Sequence, residues 1–340
     1  MARKHGFKKL NANGKNSPYW IFSFEQNTVS AYDSGGFQVT NNGVLANGST
    51  SKSTFWFQGD SAVMIGESVQ NRGQLAINFI GDNVASNLPS DWNASSSQIR
   101  KALLDFNATT NYDNGNGSRS TSFVGNLSIR AGLGKDKNIV EGNFAGDMIG
   151  DVYILAHYVP SSGKIYTDVN ATLTFQNNAS LQGNIYSNLR DGASGGAGTN
   201  IFNFQTGGIY GGLYSGTFNP ESMASTNTIN FNIGGTPTSN VINFIEGDVV
   251  AQPGGNNIIN FNRDNDARIR RLVRNSGTRG EFYNGKNQVT FQGSVLTISR
   301  GIATEGSYHA NDVGNQITLK KKTLNSQSVL EVLSLDRLQI

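Results

Sequence analysis

Three acids within one short stretch, Glu141, Asp147 and Asp151, are the first residues here whose type could do chemistry. Two carboxyl groups held roughly 5–10 Å apart act as acid and base on a glycosidic bond, and clustered acids also hold Ca²⁺. On a fold of stacked coils such a pair would have to come from neighbouring coils. The acids one period further on, Asp168 and Asp191, do not repeat the spacing, so solvated acids at corners are the preferred reading. His5, His157 and His309 are far apart in the chain and lack the short spacing of metal ligands. No Gly-x-Ser-x-Gly elbow with partner residues emerges, and the absence of Cys removes thiolate catalysis, Cys-type zinc sites and disulfides together. The expectation is a chain with no catalytic residue, no metal site and no cofactor.

Binding residues are easier to find. Arg263, Arg268, Arg270, Arg271 and Arg274, with Arg279 just beyond, form the one concentrated run of charge. Guanidinium forks pair with carboxylate, sulfate and phosphate, which nominates the run as a contact for anionic glycans or headgroups. The plainer reading is a solvated face, since Asp264, Asp266 and Glu281 dilute it. Aromatic residues are not interleaved with these arginines, and the formal charge of +3 is small, so nucleic acid is not expected as a partner. The run Ile209-Tyr210-Gly211-Gly212-Leu213-Tyr214 offers rings either to sugars or to one another inside the fold.

The elements that must position these groups follow from composition. Only 15% of the residues are charged, and solubility rests on Ser, Thr, 43 Asn and 41 Gly. Pro is scarce at 6, while 19 Phe provide material for a core, which argues against disorder and for strands and turns. The triplet Ile-Asn-Phe recurs as Ile77–Phe79, Ile229–Phe231, Ile242–Phe244 and Ile259–Phe261, with variants at Leu173–Phe175, Phe202–Phe204, Val289–Phe291 and Ile317–Leu319. Side chains alternate across a strand, so each triplet turns two apolar groups to one side and its Asn or Thr to the other. The last apolar residues, 175, 204, 231, 261, 291 and 319, are spaced by 29, 27, 30, 30 and 28. A period near 29 with internal alternation predicts stacked coils whose unit cannot bury its apolar face alone. A propeller blade would need a longer unit. The fold expected is all-β, a right-handed parallel β-helix, with Ile229, Phe231, Ile242, Phe244, Ile259, Phe261, Val289 and Phe291 buried and the intervening Asn residues outside or in ladders. Gly183, Gly208, Gly247 and Gly293 follow the triplets and are expected to supply positive φ at corners.

The pattern divides the chain into a tail at 1–20, an irregular or capping part at 21–120 and the regular solenoid at 121–340. Within the irregular part, Ser53–Phe57 and Leu75–Ile80 read as strands and Ser97–Phe106 as a short helix with Ile99, Leu103 and Phe106 on one side. Residues 107–120, 192–198 and 253–257 read as loops.

Ile-Asn-Phe strands, glycine corners, long Asn-rich coils and the absence of Cys, most evident in residues 120–340, resemble the passenger domains of bacterial autotransporters, in particular vacuolating-cytotoxin-like proteins. The resemblance implies a cell-surface or secreted, outer-membrane-associated protein. It would be an adhesin-like or toxin-like scaffold for a host glycan or protein receptor, joined in the parent protein to an outer-membrane barrel. The chain shows neither the signal segment nor the barrel of that family, and Val329–Leu335 reads as a strand without a closing cap; a part of a longer gene product is the expectation. Asp-x-Asn-x-Ser/Thr, which resembles the acceptor pattern of bacterial periplasmic N-glycosylation, occurs around Asn93, Asn107 and Asn170. A glycan-processing β-helix enzyme and a trimeric tailspike-like stalk are the alternatives to the scaffold.

Overall fold

Alternation of Ile, Asn and Phe decides the architecture. In Ser225–Phe231 and Gly255–Phe261 every second side chain is buried, and strands of this kind stack in parallel, one per coil. The computed structural model describes the backbone of the strands named below. It describes side chains at 104, 106, 109 and 111 and across 118–129, 139–154, 169–187, 198–216, 225–233, 242–262, 266–275, 285–303 and 314–320.

Two 11-stranded sheets and two 4-stranded ones make up the solenoid. The first long sheet runs through Ala62–Gly66, Ile99–Phe106, Lys137–Phe144, Val169–Phe175, Gly198–Phe204, Ser225–Phe231, Gly255–Phe261, Lys286–Phe291 and Asn315–Leu319, each pair parallel and in register. A second long sheet stacks Gln74–Phe79, Leu127–Arg130, Val152–Leu155, Ile185–Ser187, Leu213–Ser215, Val249–Ala251, Val273–Ser276 and Ile302–Glu305. The two 4-stranded sheets form a narrow third face, joined through single bridges from Ile209 to Leu181 and Ile245. Antiparallel pairing occurs near the start, where Ser30–Asp33, Phe37–Asn41 and Lys52–Phe57 follow one another along the edge of the second long sheet.

The interior is built of columns. Phe106, Phe144, Phe175, Phe204, Phe231 and Phe261 stack with centroids 4.6–5.3 Å apart, and Phe291 closes the column edge-on. Beside them runs an amide column, buried from Asn200 to Asn287 and half-buried at Asn315: Asn200 Nδ2 donates to Asn227 Oδ1, Asn227 to Asn257, Asn257 to Asn287 and Asn287 to Asn315 at 2.9–3.2 Å. A second amide ladder, Asn260 to Asn230 to Asn203, lies on the outer side of the same strands. Each ladder bond replaces a hydrogen bond to water, so the buried Asn side chains avoid most of the desolvation cost.

Several expectations need correction. Ile242 is 48% exposed, and Phe244 faces outward. Asn243 and Ile245 point inward instead, because the strand must continue the Ile209 and Ile269 column in register. The helix expected at Ser97–Phe106 is not formed by the described residues of that stretch. Ile99–Phe106 is a strand between Ala62–Gly66 and Lys137–Phe144, and Leu104 and Phe106 enter the core at period 2. The stretch 107–120 contains strands Thr110–Asp113 and Ser118–Val124, and most of 253–257 belongs to Gly255–Phe261. Residues 192–197 lie outside the described residues, and Gly198 opens a strand. The glycines at 183, 208, 247 and 293 do not take positive φ; that role falls to Gly125, Gly150, Gly216, Gly254 and Gly301.

Candidate binding cleft

One corner of the solenoid, between the narrow face and the second long sheet, repeats a short local sequence: glycine, then Asn or Asp, then an apolar residue that turns into the core. Gly125-Asn126-Leu127, Gly150-Asp151-Val152, Gly183-Asn184-Ile185 and Gly247-Asp248-Val249 are four copies. The carboxamide or carboxylate at the middle position accepts the backbone N–H of the same position one coil on. Asp151 N donates to Asn126 Oδ1 at 2.8 Å, Asn184 N to Asp151 Oδ1 at 2.7 Å and Gly212 N to Asn184 Oδ1 at 2.8 Å. Leu272 N donates to Asp248 Oδ1 at 3.1 Å. Glycine precedes each rung because the coils pass too closely: a Cβ on Gly183 would overlap the Gly150 carbonyl, and one on Gly211 the Gly183 carbonyl.

At Gly212 the rung has no side chain. Tyr214 leans over the vacated position, so close that a Cβ there would sit 2.7 Å from its ring and 2.7 Å from the Asp248 carbonyl oxygen. The interruption opens a cleft of about 520 Å³ floored by Gly183, Gly211, Gly212 and Gly247 and walled by Arg119, Gln182, Asn184, Tyr210, Tyr214, Glu246, Asp248 and Arg271.

Most of the charge around this cleft is neutralised within the protein. Asp147 is 2% exposed and accepts the Arg119 Nε–H, Arg119 Nη2 at 3.3 Å, the Ser180 backbone N–H at 2.8 Å and Gln182 Nε2 at 2.7 Å. Arg119 Nη1 also donates to Tyr210 Oη at 2.8 Å. The expectation that Asp147 is a solvated corner acid is therefore wrong: its lone pairs are taken by donors from neighbouring coils. Across the cleft, Arg268 and Arg270 both pair with Glu246. Burial disfavours the ionised Glu246, but the hydrogen bonds and charges of Arg270 and Arg268 outweigh it and hold its carboxyl below the usual range.

On the adjoining sheet Tyr153, Tyr186 and Tyr214 stack face to face at 5.0 and 5.1 Å. Burial, and then the Asp151 carboxylate that accepts the Tyr153 hydroxyl at 3.0 Å, push Tyr153 up to about 12; Tyr186 and Tyr214 move the same way. A folded value above the ordinary 10.0 means stability that is intact below pH 10 and lost as pH rises toward about 12. Denaturation midpoints should fall over that interval, and fall less in Tyr153→Phe. Equal slopes in the two proteins would put this hydroxyl in bulk water.

The predicted site residues are dispersed. Glu141 is exposed on the first long sheet, Asp147 sits on the narrow face and Asp151 at the corner, so this acid set does not converge. Among the described residues no group of three His, Asp or Glu is placed to hold a metal. The arginine run splits around the corner: Arg268 and Arg270 are on the narrow face, Arg271 borders the cleft and Arg274 stands on the second long sheet. Arg263 and Arg279 lie outside the described residues, as do the three His, Asn93 and Asn107. Asn170 is exposed on the first long sheet, where its Oδ1 accepts Thr199 N at 3.3 Å.

Sequence reasoning missed Arg119, Gln182 and the role of Gly212. A signal existed: Arg119 and Asp147 are 28 residues apart, one coil. Compared with family models, curated proteins and solved structures, the chain matches none of them.

Proposed function

We propose that this chain is a binding scaffold displayed on or released from a bacterial surface, the passenger region of an autotransporter in an adhesin-like or toxin-like role. Its partner would be a host glycan or protein receptor, and it has no chemistry of its own. The observation that supports this most is the unbroken register from Ile99–Phe106 to Asn315–Leu319. It makes a long flank on which Asn203, Asn230 and Asn260 are locked into a ladder, and rigid presentation lowers the ordering cost of binding. The absence of Cys suits a chain that crosses membranes unfolded and is threaded out beside a barrel. Antibodies raised against the recombinant chain should label intact, unpermeabilised cells of the bacterium that makes it, and the labelled chain should bind cultured host cells saturably. Label confined to permeabilised cells, together with no saturable binding, would overturn this reading.

A further inference from the structure

We propose that the corner cleft binds an uncharged oligosaccharide through about two pyranose rings, an inference that rests on the scaffold reading and gives it a ligand. The cleft crosses three successive coils, represented by Gln182, Tyr210 and Asp248. With a rise of about 4.8 Å per coil, its wall extends roughly 10 Å along the axis, the length of two linked sugar rings.

Its chemistry matches hydroxyl groups better than anions. A sugar hydroxyl both donates and accepts, and the wall supplies it an acceptor carboxylate at Asp248, beside the Gln182 and Asn184 amides, which are bonded to Asp147, Gly212 N and Asp151 within the corner. Asp248 Oδ1 holds Leu272 N, and among the described residues Oδ2 has no hydrogen bond. Arg119 is paired with Asp147, and Arg268 and Arg270 share the one carboxylate of Glu246. The charged groups of the wall itself balance, Arg119 and Arg271 against Glu246 and Asp248, so a sulfate or carboxylate finds no excess of cations among them. Tyr210 is 43% exposed, propped edge-on by Phe244 at 4.8 Å and held by Arg119, which donates to its hydroxyl and lies over one face of the ring with Cζ 5.4 Å from the centroid. A ring fixed in advance suits stacking by the C–H face of a pyranose, because its faces carry the negative side of the aromatic quadrupole. The glycine floor lets such a ligand lie against backbone.

The test is retention of the full chain on neutral oligosaccharides and, in parallel, on heparin fragments and sialylated oligosaccharides, each with and without about 0.5 M salt, which screens exposed charge to within a few ångströms. Neutral sugar should be retained, unaffected by salt, and weakened about tenfold or more by Tyr210→Ala, while Tyr210→Phe keeps most of the binding. Asp248→Asn, which preserves the acceptor for Leu272 N, should weaken neutral sugar several-fold without weakening any anionic ligand, and it serves should Tyr210→Ala fail to fold. Preferential, salt-sensitive retention on heparin or sialylated sugars overturns the proposal. So does binding to host cells without binding to any sugar, an outcome that leaves the scaffold reading standing; failure to bind either sinks both.

Discussion

Phe261→Ala should destabilise the solenoid by about 3–5 kcal/mol. Phe261 is fully buried, stacked on Phe231 at 4.9 Å and 5° and met edge-on by Phe291 at 6.3 Å and 75°. The space left by the ring cannot close easily. Its neighbours above and below are held in register by strand pairs on both sides, Ser225–Phe231 and Lys286–Phe291, and coil spacing is set by backbone hydrogen bonds rather than by ring size. In a stack each coil is stabilised mainly by its neighbours, so the loss should also loosen cooperativity, and the slope of the denaturant curve should fall with the midpoint. A change below about 1 kcal/mol would mean that Phe261 is not between two rings, and the column would be wrong.

The first long sheet was legible because alternation and period agree in it. Leu173, Phe202, Ile229, Ile259 and Val289 begin triplets whose last residue joins the phenylalanine column, and a one-residue slip would expose both apolar groups. The same triplet misled at Ile242. Both Ile242-x-Phe244 and Asn243-x-Ile245 are alternating frames, and nothing local chooses between them; the choice is made by Ile209 and Ile269 in adjacent coils. Ser97–Phe106 failed for the opposite reason. Its apolar residues fit helical spacing, but pairing on both edges offers the backbone more hydrogen bonds and places Leu104 and Phe106 in the core.

The cleft was only partly legible. The Tyr-Gly run drew attention to Tyr210 and Tyr214, yet their surroundings come from Arg119 and Gln182 on one side and Glu246 and Asp248 on the other. These residues meet only through the stacking of successive coils. For the arginine run, nominated as an anion contact with a solvated face as the plainer reading, composition counts charges and does not see that Arg268 and Arg270 share Glu246. The corner glycines were read as φ-driven, whereas close passage of one coil over the last is what excludes a side chain at Gly183 and Gly211.

Asn257→Ala should cost nearly as much as the loss of a core ring, about 3–5 kcal/mol, and through a different mechanism. Asn257 is fully buried. Its Nδ2 donates to Asn287 Oδ1 at 2.9 Å and to Val250 O at 3.0 Å, and its Oδ1 accepts from Asn227 at 3.2 Å. Truncation strands Asn287 Oδ1 and Asn227 Nδ2 in the interior and leaves Val250 O only the Ser215 hydroxyl at 3.5 Å, and each stranded group costs about 1–3 kcal/mol. Relief is limited, because water would have to enter a column bounded by strands. Asn200 is the control. It stands at the end of the same column, above Ala171 in the preceding coil, and its Oδ1 already lacks a partner. Asn200→Ala leaves only Asn227 Oδ1 and Ser187 Oγ without its amide, and the Ser187 hydroxyl is free to rotate, so a cost of about 1–2 kcal/mol is expected. Both residues are equally buried, and a simple burial account gives them the same penalty. If equilibrium unfolding of the two variants yields equal losses, the amide column is a by-product of Asn-rich composition. A middle rung that costs at least about twice the terminal one makes the column a structural spine, because only a continuous chain of donors and acceptors penalises a break by its position.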